Sequence, residues 1–280
     1  MARKRKLQER EGLASEQRSF GTGDCLEWDR TTPGAKDPSD AKTALDEMRL
    51  ALKDDARLCA RRDTVFLLPF LRFTKFDVEA ALAKTRMYYR RRSSCPKVLK
   101  DLKASEEIKS QARGLVAALP GKDTRGRPVL LLKLGAWDPS SLPQFRVQRA
   151  VNLWLEQLTR DPATQDAGIC FILDFGGWSF SKIRACEIGL ARKAIRLLQD
   201  GLPLEITRAH VLRQPRTFSI FFSLLKPFMS KDELARFHLH GEDFGNLHAE
   251  VPKDILPKEY GGTAVFDFEG LWERLRGQDS

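Results

Sequence analysis

The chain has little of what would mark an enzyme. Its 280 residues contain no G-x-S-x-G, no Walker loop and no H-E-x-x-H, so the motif-borne routes to acyl transfer, nucleotide hydrolysis and zinc proteolysis are missing. Asp174-Phe175-Gly176 echoes the metal-binding triplet of protein kinases, but the Gly-rich loop and the catalytic-loop H-R-D are absent. Asp174 then reads as a strand-end carboxylate that satisfies turn amides. Gly21-Thr22-Gly23 has no strand before it and no third glycine after it, so it is not a phosphate loop. Five cysteines (Cys25, Cys59, Cys95, Cys170, Cys186) are odd in number and never spaced C-x-x-C. That argues against a disulfide framework and a zinc site, and for a reducing compartment. Cys186 reads as a small core residue on a helix. Among the four histidines, His238 and His240 alternate along a predicted strand, yet no carboxylate or cysteine stands at ligand spacing. The expectation is no catalytic residue, no metal and no cofactor, and a binding function leads.

Membrane anchors are lacking as well. MARKRKLQER is not followed by the apolar core of a signal peptide, residue 2 is Ala, and the sequence closes RGQDS without a lipidation signal. The expectation is a soluble cytoplasmic protein that meets membranes transiently, at their surface. The greasiest stretch, Thr217 to Phe228 (TFSIFFSLLKPF), is stopped by Pro227 and is far shorter than the ~20 residues needed to cross a bilayer. As a helix it puts Phe218, Phe221, Phe222 and Leu225 on one face and Ile220, Leu224 and Phe228 on a second. Such a helix is either buried or covered by something that can leave.

What the chain has in excess is positive charge, unevenly placed. Residues 43–113 hold 17 Lys/Arg against 10 Asp/Glu and so carry +7 of the net +10. A basic segment suits an anionic partner, nucleic acid or an anionic membrane surface, and composition alone does not choose between them.

Residues 1–40, with little apolar content, read as a disordered basic arm. From 41 to 119 the periodicity predicts a small helical domain, with Asp77 as a cap and a last helix from Ser105 to Leu119. From 120 to 280 the character changes to α/β. PVLLLKLG (128–135) and GICFILDFGG (168–177) look like strands buried on both faces, and AHVLRQP (209–215) and RFHLHG (236–241) continue the set. The stretches 141–160 and 179–200 between them read as helices. A short strand at VFDF (265–268) and a helix through Trp272 would close the chain. This alternation predicts a mainly parallel sheet.

Five segments in order, FLLPFLRFTKFDVEAALAKTRMYYRRR, GRPVLLLKLGAWDP, ILDFGGWSF, LLKPFMSKDELARFHLHG and DILPKEYGG, resemble the CRAL-TRIO lipid-binding family on its tocopherol- and retinaldehyde-binding branch. The resemblance covers about Ala44 to Gly262. It implies an N-terminal helical domain, an α/β lipid-binding domain around an apolar pocket, and a gate helix formed by the Phe-rich stretch. It also implies that Phe145, Gln148, Asn152, Leu197 and Leu198, with Phe218, Phe221, Phe222 and Leu225, line the pocket. Two departures stand out. Gln148 and Asn152 replace small hydroxyl residues, and the positions of a phosphoinositide-binding basic cluster read Glu205, Thr207, Asp232 and Arg236. Arg208 and Lys231 are adjacent and can compensate, and Arg90, Arg91 and Arg92 supply nonspecific attraction to anionic lipid. The partners expected are a hydrophobic lipid ligand and an anionic membrane surface, with phosphoinositides open and no nucleic acid. Three readings follow: a carrier of one tocopherol-, retinoid- or other isoprenoid-like lipid between membranes, a phosphatidylinositol or phospholipid transfer protein, and a membrane-recruited signalling adaptor with a lipid-sensing pocket.

Overall fold

The computed structural model describes residues 38–55, 58–107 and 110–277. The arm expected over residues 1–40 falls, up to residue 37, outside the described residues. The basic start MARKRKLQER and Cys25 lie there too.

Three helices open the described chain: α1 (Pro38–Asp54), α2 (Thr64–Phe73) and α3 (Val78–Ser94). Asp63 and Asp77 start the latter two by accepting the backbone N–H of Phe66 and Ala80, satisfying amides that have no partner inside the helix. Met48, Leu67, Phe70 and Leu71 are buried between them. The rings of Phe66, Phe70, Tyr88 and Tyr89 meet at 5.2–5.8 Å.

The helix expected from Ser105 to Leu119 does not form. After the short helices α4 (Pro96–Leu99) and α5 (Ala104–Glu107), a 3-10 turn at Gln111–Gly114 leads into strand β1 (Val116–Lys122). The run Leu115 to Leu119 is apolar at every position, a pattern that suits a strand covered on both sides as well as a helix. Pairing decides it, because β1 lies antiparallel to β2 (Pro128–Leu132), with Val116 opposite Leu132.

β3 (Ile169–Asp174), β4 (Ile206–Leu212) and β5 (Phe237–Gly241) then add in parallel, giving the sheet order β1-β2-β3-β4-β5. Helices make the crossovers: α6 (Gln144–Thr159) and α7 (Pro162–Ala167), then α8 (Phe180–Ala185) and α9 (Ile188–Arg196), then α10 (Arg216–Leu225) and α11 (Lys231–Ala235). The stretch 179–200, expected as one helix, is broken where Cys186 and Glu187 become extended, and its last turn widens to a π turn over Leu197–Gly201. Cys186 thus lies between two helices rather than on one.

Strand alternation gives the sheet two apolar faces. Leu130, Leu132, Phe171, Ala209 and Val211 join the main core. Val129, Leu131, Cys170, Ile172 and Leu212 pack beneath α12 (Gly245–Glu250) and the fully buried Tyr260. Helix α13 (Phe268–Arg276) closes the chain on β1, where buried Trp272 donates to the Val116 carbonyl at 2.8 Å. VFDF is not a strand; only an isolated bridge, Pro257 to Ala264, precedes α13. Buried Arg149 of α6 ties the helical region to the sheet region. It pairs with Glu107 and donates to the carbonyls of Val98, Lys100 and Asp101. A guanidinium filled in this way is not an orphaned buried charge.

Candidate functional site: an apolar cavity under α10

Between the sheet and the helices lies a cavity of about 230 Å³. Its floor is Leu132 of β2 and Phe171 of β3. One wall is α6, where Val147, Gln148, Val151, Asn152 and Leu155 recur at three- and four-residue spacing and so share a face. The other wall is α9 with Ala191, Ala194 and Ile195, continued by Leu198 of the π turn. Leu134, Trp137, Trp178 and Cys186 come from the loops, and Gln144 sits at the start of α6. Phe221 and Leu225 of α10 roof the cavity. No charged side chain is among these residues. The Cys186 thiol is pushed up to about 11 by burial beside Glu187, so it stays a neutral thiol.

Of the positions expected to line a pocket, Gln148, Asn152, Leu198, Phe221 and Leu225 do so. The structure places the other four elsewhere. Phe145 lies under the ammonium of Lys97 at 4.6 Å. Leu197 is buried in the core. Phe218 packs edge-on against Phe175 at 4.7 Å, and Phe222 stacks on Phe218 and tilts against Phe237. Sequence reasoning missed the floor, the α9 wall, the remaining α6 positions Gln144, Val147, Val151 and Leu155, and the loop residues, the two tryptophans among them. Trp137 and Trp178 stack at 6.2 Å, which requires the loops after β2 and β3 to touch. Glycine permits it, since a Cβ on Gly135 would sit 2.1 Å from the Gly176 carbonyl oxygen. The available signal was a tryptophan just after each apolar strand, in GAWDP and GGWSF.

Helix α10 has one covered and one open face. Phe218 and Phe221 are 3% and 8% exposed, whereas Ile220 and Leu224 are 45% and 43% exposed. The excursion that carries it is stapled at its base. The Arg213 N–H donates to the Gly241 carbonyl at 2.7 Å, and the Gly241 N–H donates to the Gln214 side chain at 3.1 Å. Arg213 itself has φ of 50°, unusual for a residue with a Cβ. It is held there by Asp174, which also accepts from the Gly176 N–H and the Tyr260 hydroxyl. Burial works to raise the Asp174 pKa, but the Arg213 guanidinium and the other donors outweigh it and hold the carboxyl below its ordinary value. Asp174 does satisfy a turn amide, as its place at a strand end suggests, and in addition anchors the base of α10.

The basic residues expected to meet lipid headgroups are largely engaged. Arg91 pairs with Asp200, Arg92 with Glu156, Arg208 with Glu250, and Arg236 with Glu205. Arg90 and Lys231 are exposed. Arg208 also meets His238 on the sheet face away from the cavity, where the Nδ1 of His210 lies 2.9 Å from the Nε2 of His240. Burial first, then neighbouring His240, lowers the His210 pKa to about 3. Hydrogen bonding to Arg208 lowers that of Glu250 to about 2. His248 contacts the Tyr260 carbonyl. Among the described residues no group of three metal-ligating side chains converges, and no helix is long and apolar enough to cross a membrane.

The site is thus a partly open cavity with an uncharged, mainly apolar lining, set between a mainly parallel sheet and its crossover helices and roofed by a helix with one exposed face. The family model for the CRAL/TRIO domain matches residues 112–262, and the chain belongs to the CRAL-TRIO lipid-binding family. Among curated proteins it is 41% identical over 212 residues to the alpha-tocopherol transfer protein-like protein of Homo sapiens, an alignment covering 76% of this chain and 62% of that one. It is 33% identical over 225 residues to clavesin-1 of Mus musculus, covering 78% and 63%. The chain thus spans somewhat under two thirds of these relatives' length. Its fold is similar to the crystal structure of Sfh5, with a TM-score of 0.52 at 13% identity over 83% of this chain and 90% of that one.

Proposed function

We propose that this chain encloses one hydrophobic small molecule, a tocopherol-, retinoid- or similar isoprenoid-like lipid, and carries it between membranes without changing it chemically. The observation that carries this reading is the uncharged cavity roofed by Phe221 and Leu225, on a helix whose other face already leaves Ile220 and Leu224 exposed. In water, lifting α10 exposes Phe218 and Phe221. At a bilayer the same surface is solvated by acyl chains, which removes most of that cost. The staple between Arg213, Gln214 and Gly241 gives the segment a fixed base on which to swing. The name of the alpha-tocopherol transfer protein-like relative points the same way.

The rival reading, a phospholipid carrier, needs cationic or strongly polar groups around the headgroup, and the cavity lining has no charged residue. Specific phosphoinositide recognition is weakened as well, because Arg236 is paired with Glu205. The test is native mass spectrometry of the purified protein, then organic extraction and a vesicle-to-vesicle transfer assay with what co-purifies. A stoichiometric apolar species that is transferred supports the reading. A co-purifying phospholipid promotes the rival, and a chain that refuses every lipid offered leaves the signalling adaptor in first place.

A further inference from the structure

On the sheet face away from the cavity, three histidines gather where β5 meets β4, and the cavity uses none of them. β5 is the outer strand of the sheet, paired along one side, and none of its residues is buried. It nevertheless holds α10 at two points. Phe237 tilts against Phe222 at 5.4 Å, and Gly241 makes both bonds of the staple to Arg213 and Gln214. On the far face two side chains of β5 reach back to β4. The Nε2 of His238 meets the Arg208 guanidinium, and the Nε2 of His240 lies 2.9 Å from the Nδ1 of fully buried His210.

These contacts are made by neutral rings. A guanidinium only donates, so His238 Nε2 accepts and its one proton is on Nδ1. A second proton, on Nε2, would set N–H against N–H. Between His240 and His210 there is room for one proton. His210 Nε2 has no hydrogen-bond partner and stands 3.9 Å from Glu250, so a proton on that nitrogen faces a carboxylate when His240 is the donor to His210. Charging His240 then adds a cation beside His238 and Arg208. The charges around the cluster are mostly engaged with one another: Arg208 of β4 pairs with Glu250 of α12, and Arg127, before β2, pairs with Asp123 and Glu250. His248 of α12 is turned to the Tyr260 carbonyl. Glu250 and Asp243 favour a charge on His240, but burial, then His238, outweigh them and hold its pKa below the ordinary value. Burial, then Arg208, does the same to His238.

We infer that His238 and His240 form an acid-sensitive latch on α10: as neutral rings they hold β5 to β4, and on taking up protons they release the edge strand and the base of the helix with it. This rests on the gate of the carrier reading and adds a trigger to it. Both rings are half-buried, so protons reach them without unfolding. A ring whose pKa is below about 6.5 when β5 is docked, and ordinary when it is free, gains a proton on release. Docking is therefore strongest above about pH 6.5 and weakens in acid, by up to ~10-fold per ring between pH 7.5 and 5.5. An anionic bilayer at about −30 to −50 mV concentrates protons at its surface roughly 3- to 7-fold, so contact with one pushes the latch the same way.

The test is native-state hydrogen exchange of the full chain at pH 7.5 and 5.5, with each amide referred to its intrinsic rate at that pH. Amides of Arg213, Phe218–Leu225 and Gly241 should open with weak urea dependence at both pH values, and their protection should fall about 10-fold or more in acid. In His238→Gln/His240→Gln, the new amides can accept from Arg208 and donate to His210 but take up no proton, and the fall should shrink to about 3-fold or less. His238→Gln alone, the milder change, should remove part of it. Weak urea dependence with protection unchanged by acid overturns the latch and leaves the gate standing, and so does an acid response undiminished in the Gln variants. If these amides share the urea dependence of Ile169–Leu173 at both pH values, α10 opens only by global unfolding, and the gate falls with the latch.

Discussion

Replacing Phe221 by Ala separates a gate from an ordinary core helix. Phe221 is 8% exposed, packs on the Trp178 ring at 4.8 Å and on Phe175 at 6.1 Å, and borders the cavity with its remaining surface. A fully packed Phe→Ala change costs about 3–5 kcal/mol, but a ring with a void on one side has fewer partners, so about 2–3 kcal/mol is appropriate here. The closed state as a whole rests on two buried and two half-buried side chains. Phe218 and Phe221 at ~1.5–3 kcal/mol each, with Phe222 and Leu225 at roughly half that, give about 4–9 kcal/mol for lifting α10 into water. That range overlaps the lower part of the ~5–15 kcal/mol of global stability, and the proposed gate requires that the helix open without unfolding the sheet. Native-state hydrogen exchange measures this directly. In the unaltered protein, amides of Phe218–Leu225 should exchange through an opening with weak urea dependence that the amides of Ile169–Leu173 do not share. In Phe221→Ala their exchange should accelerate about 30- to 150-fold, at 1.4 kcal/mol per tenfold, and still outrun the sheet. If helix and sheet amides exchange with one free energy and one urea dependence in both proteins, α10 leaves only by global unfolding, and the gate is wrong.

Asp174→Asn should cost about 2–4 kcal/mol, since it leaves Arg213 without its partner, with the estimate lowered because the Arg213 side chain is partly exposed; a thermal melt should show a lower Tm. Acid should destabilise the protein in two windows. His210, lowered to about 3, is neutral when folded but takes a proton when unfolded below about 6.5, so stability falls at up to ~1.4 kcal/mol per pH unit from pH 6.5 towards 3, while the contribution of Glu250 is lost only as pH drops from about 4.3 towards 2. Urea midpoints at pH 7, 5 and 4 measure the first window, and His210→Phe should flatten it. Arg90→Glu or Lys231→Glu should each weaken binding to vesicles containing anionic lipid about 5-fold or more at low salt, at ~1 kcal/mol per basic residue, whereas Arg236→Ala, which removes a paired charge, should change it less than 2-fold.

The elements legible in the sequence are those whose pattern is decided locally. α6 follows from apolar recurrence after Pro143, α3 from its Asp77 cap, and β2 and β3 from runs of five or six residues too apolar to be anything but covered on both faces. β1 reads as helix in the sequence because Ser105, Glu106 and Glu107 are good helix-start chemistry and Leu115–Leu119 fits either structure; the deciding fact is a partner strand that the sequence does not display. The cavity divides along the same line. Positions on one helix face, Gln148 and Asn152, could be expected together, since helical spacing assigns them to a common side. Phe171 and Trp178 could not. A strand buried on both faces gives no hint of which face meets a void, and a loop tryptophan is positioned by another loop.

Charge shows the limit most sharply. In sequence, Arg91, Arg208 and Arg236 look available to phospholipid headgroups, but their carboxylates arrive from 109, 42 and 31 positions away. An ion pair presents a dipole rather than a charge, and at physiological salt its field is small beyond a Debye length of about 8 Å. The +7 carried by residues 43–113 therefore overstates what a membrane meets, because Arg91 and Arg92 hold Asp200 and Glu156 of the sheet region instead. The pairing between Arg91 and Asp200 also fixes the π turn that presents Leu198 to the cavity. A residue that in sequence looks suited to the membrane surface is thus part of the scaffold beside the cavity. For the proposed encounter with a bilayer, the open face of α10 offers apolar Ile220 and Leu224 flanked by exposed Arg216 and Lys226, so binding should require both apolar insertion and anionic lipid, and Ile220→Asp should weaken it at high salt, where charge reversal at Lys231 no longer does.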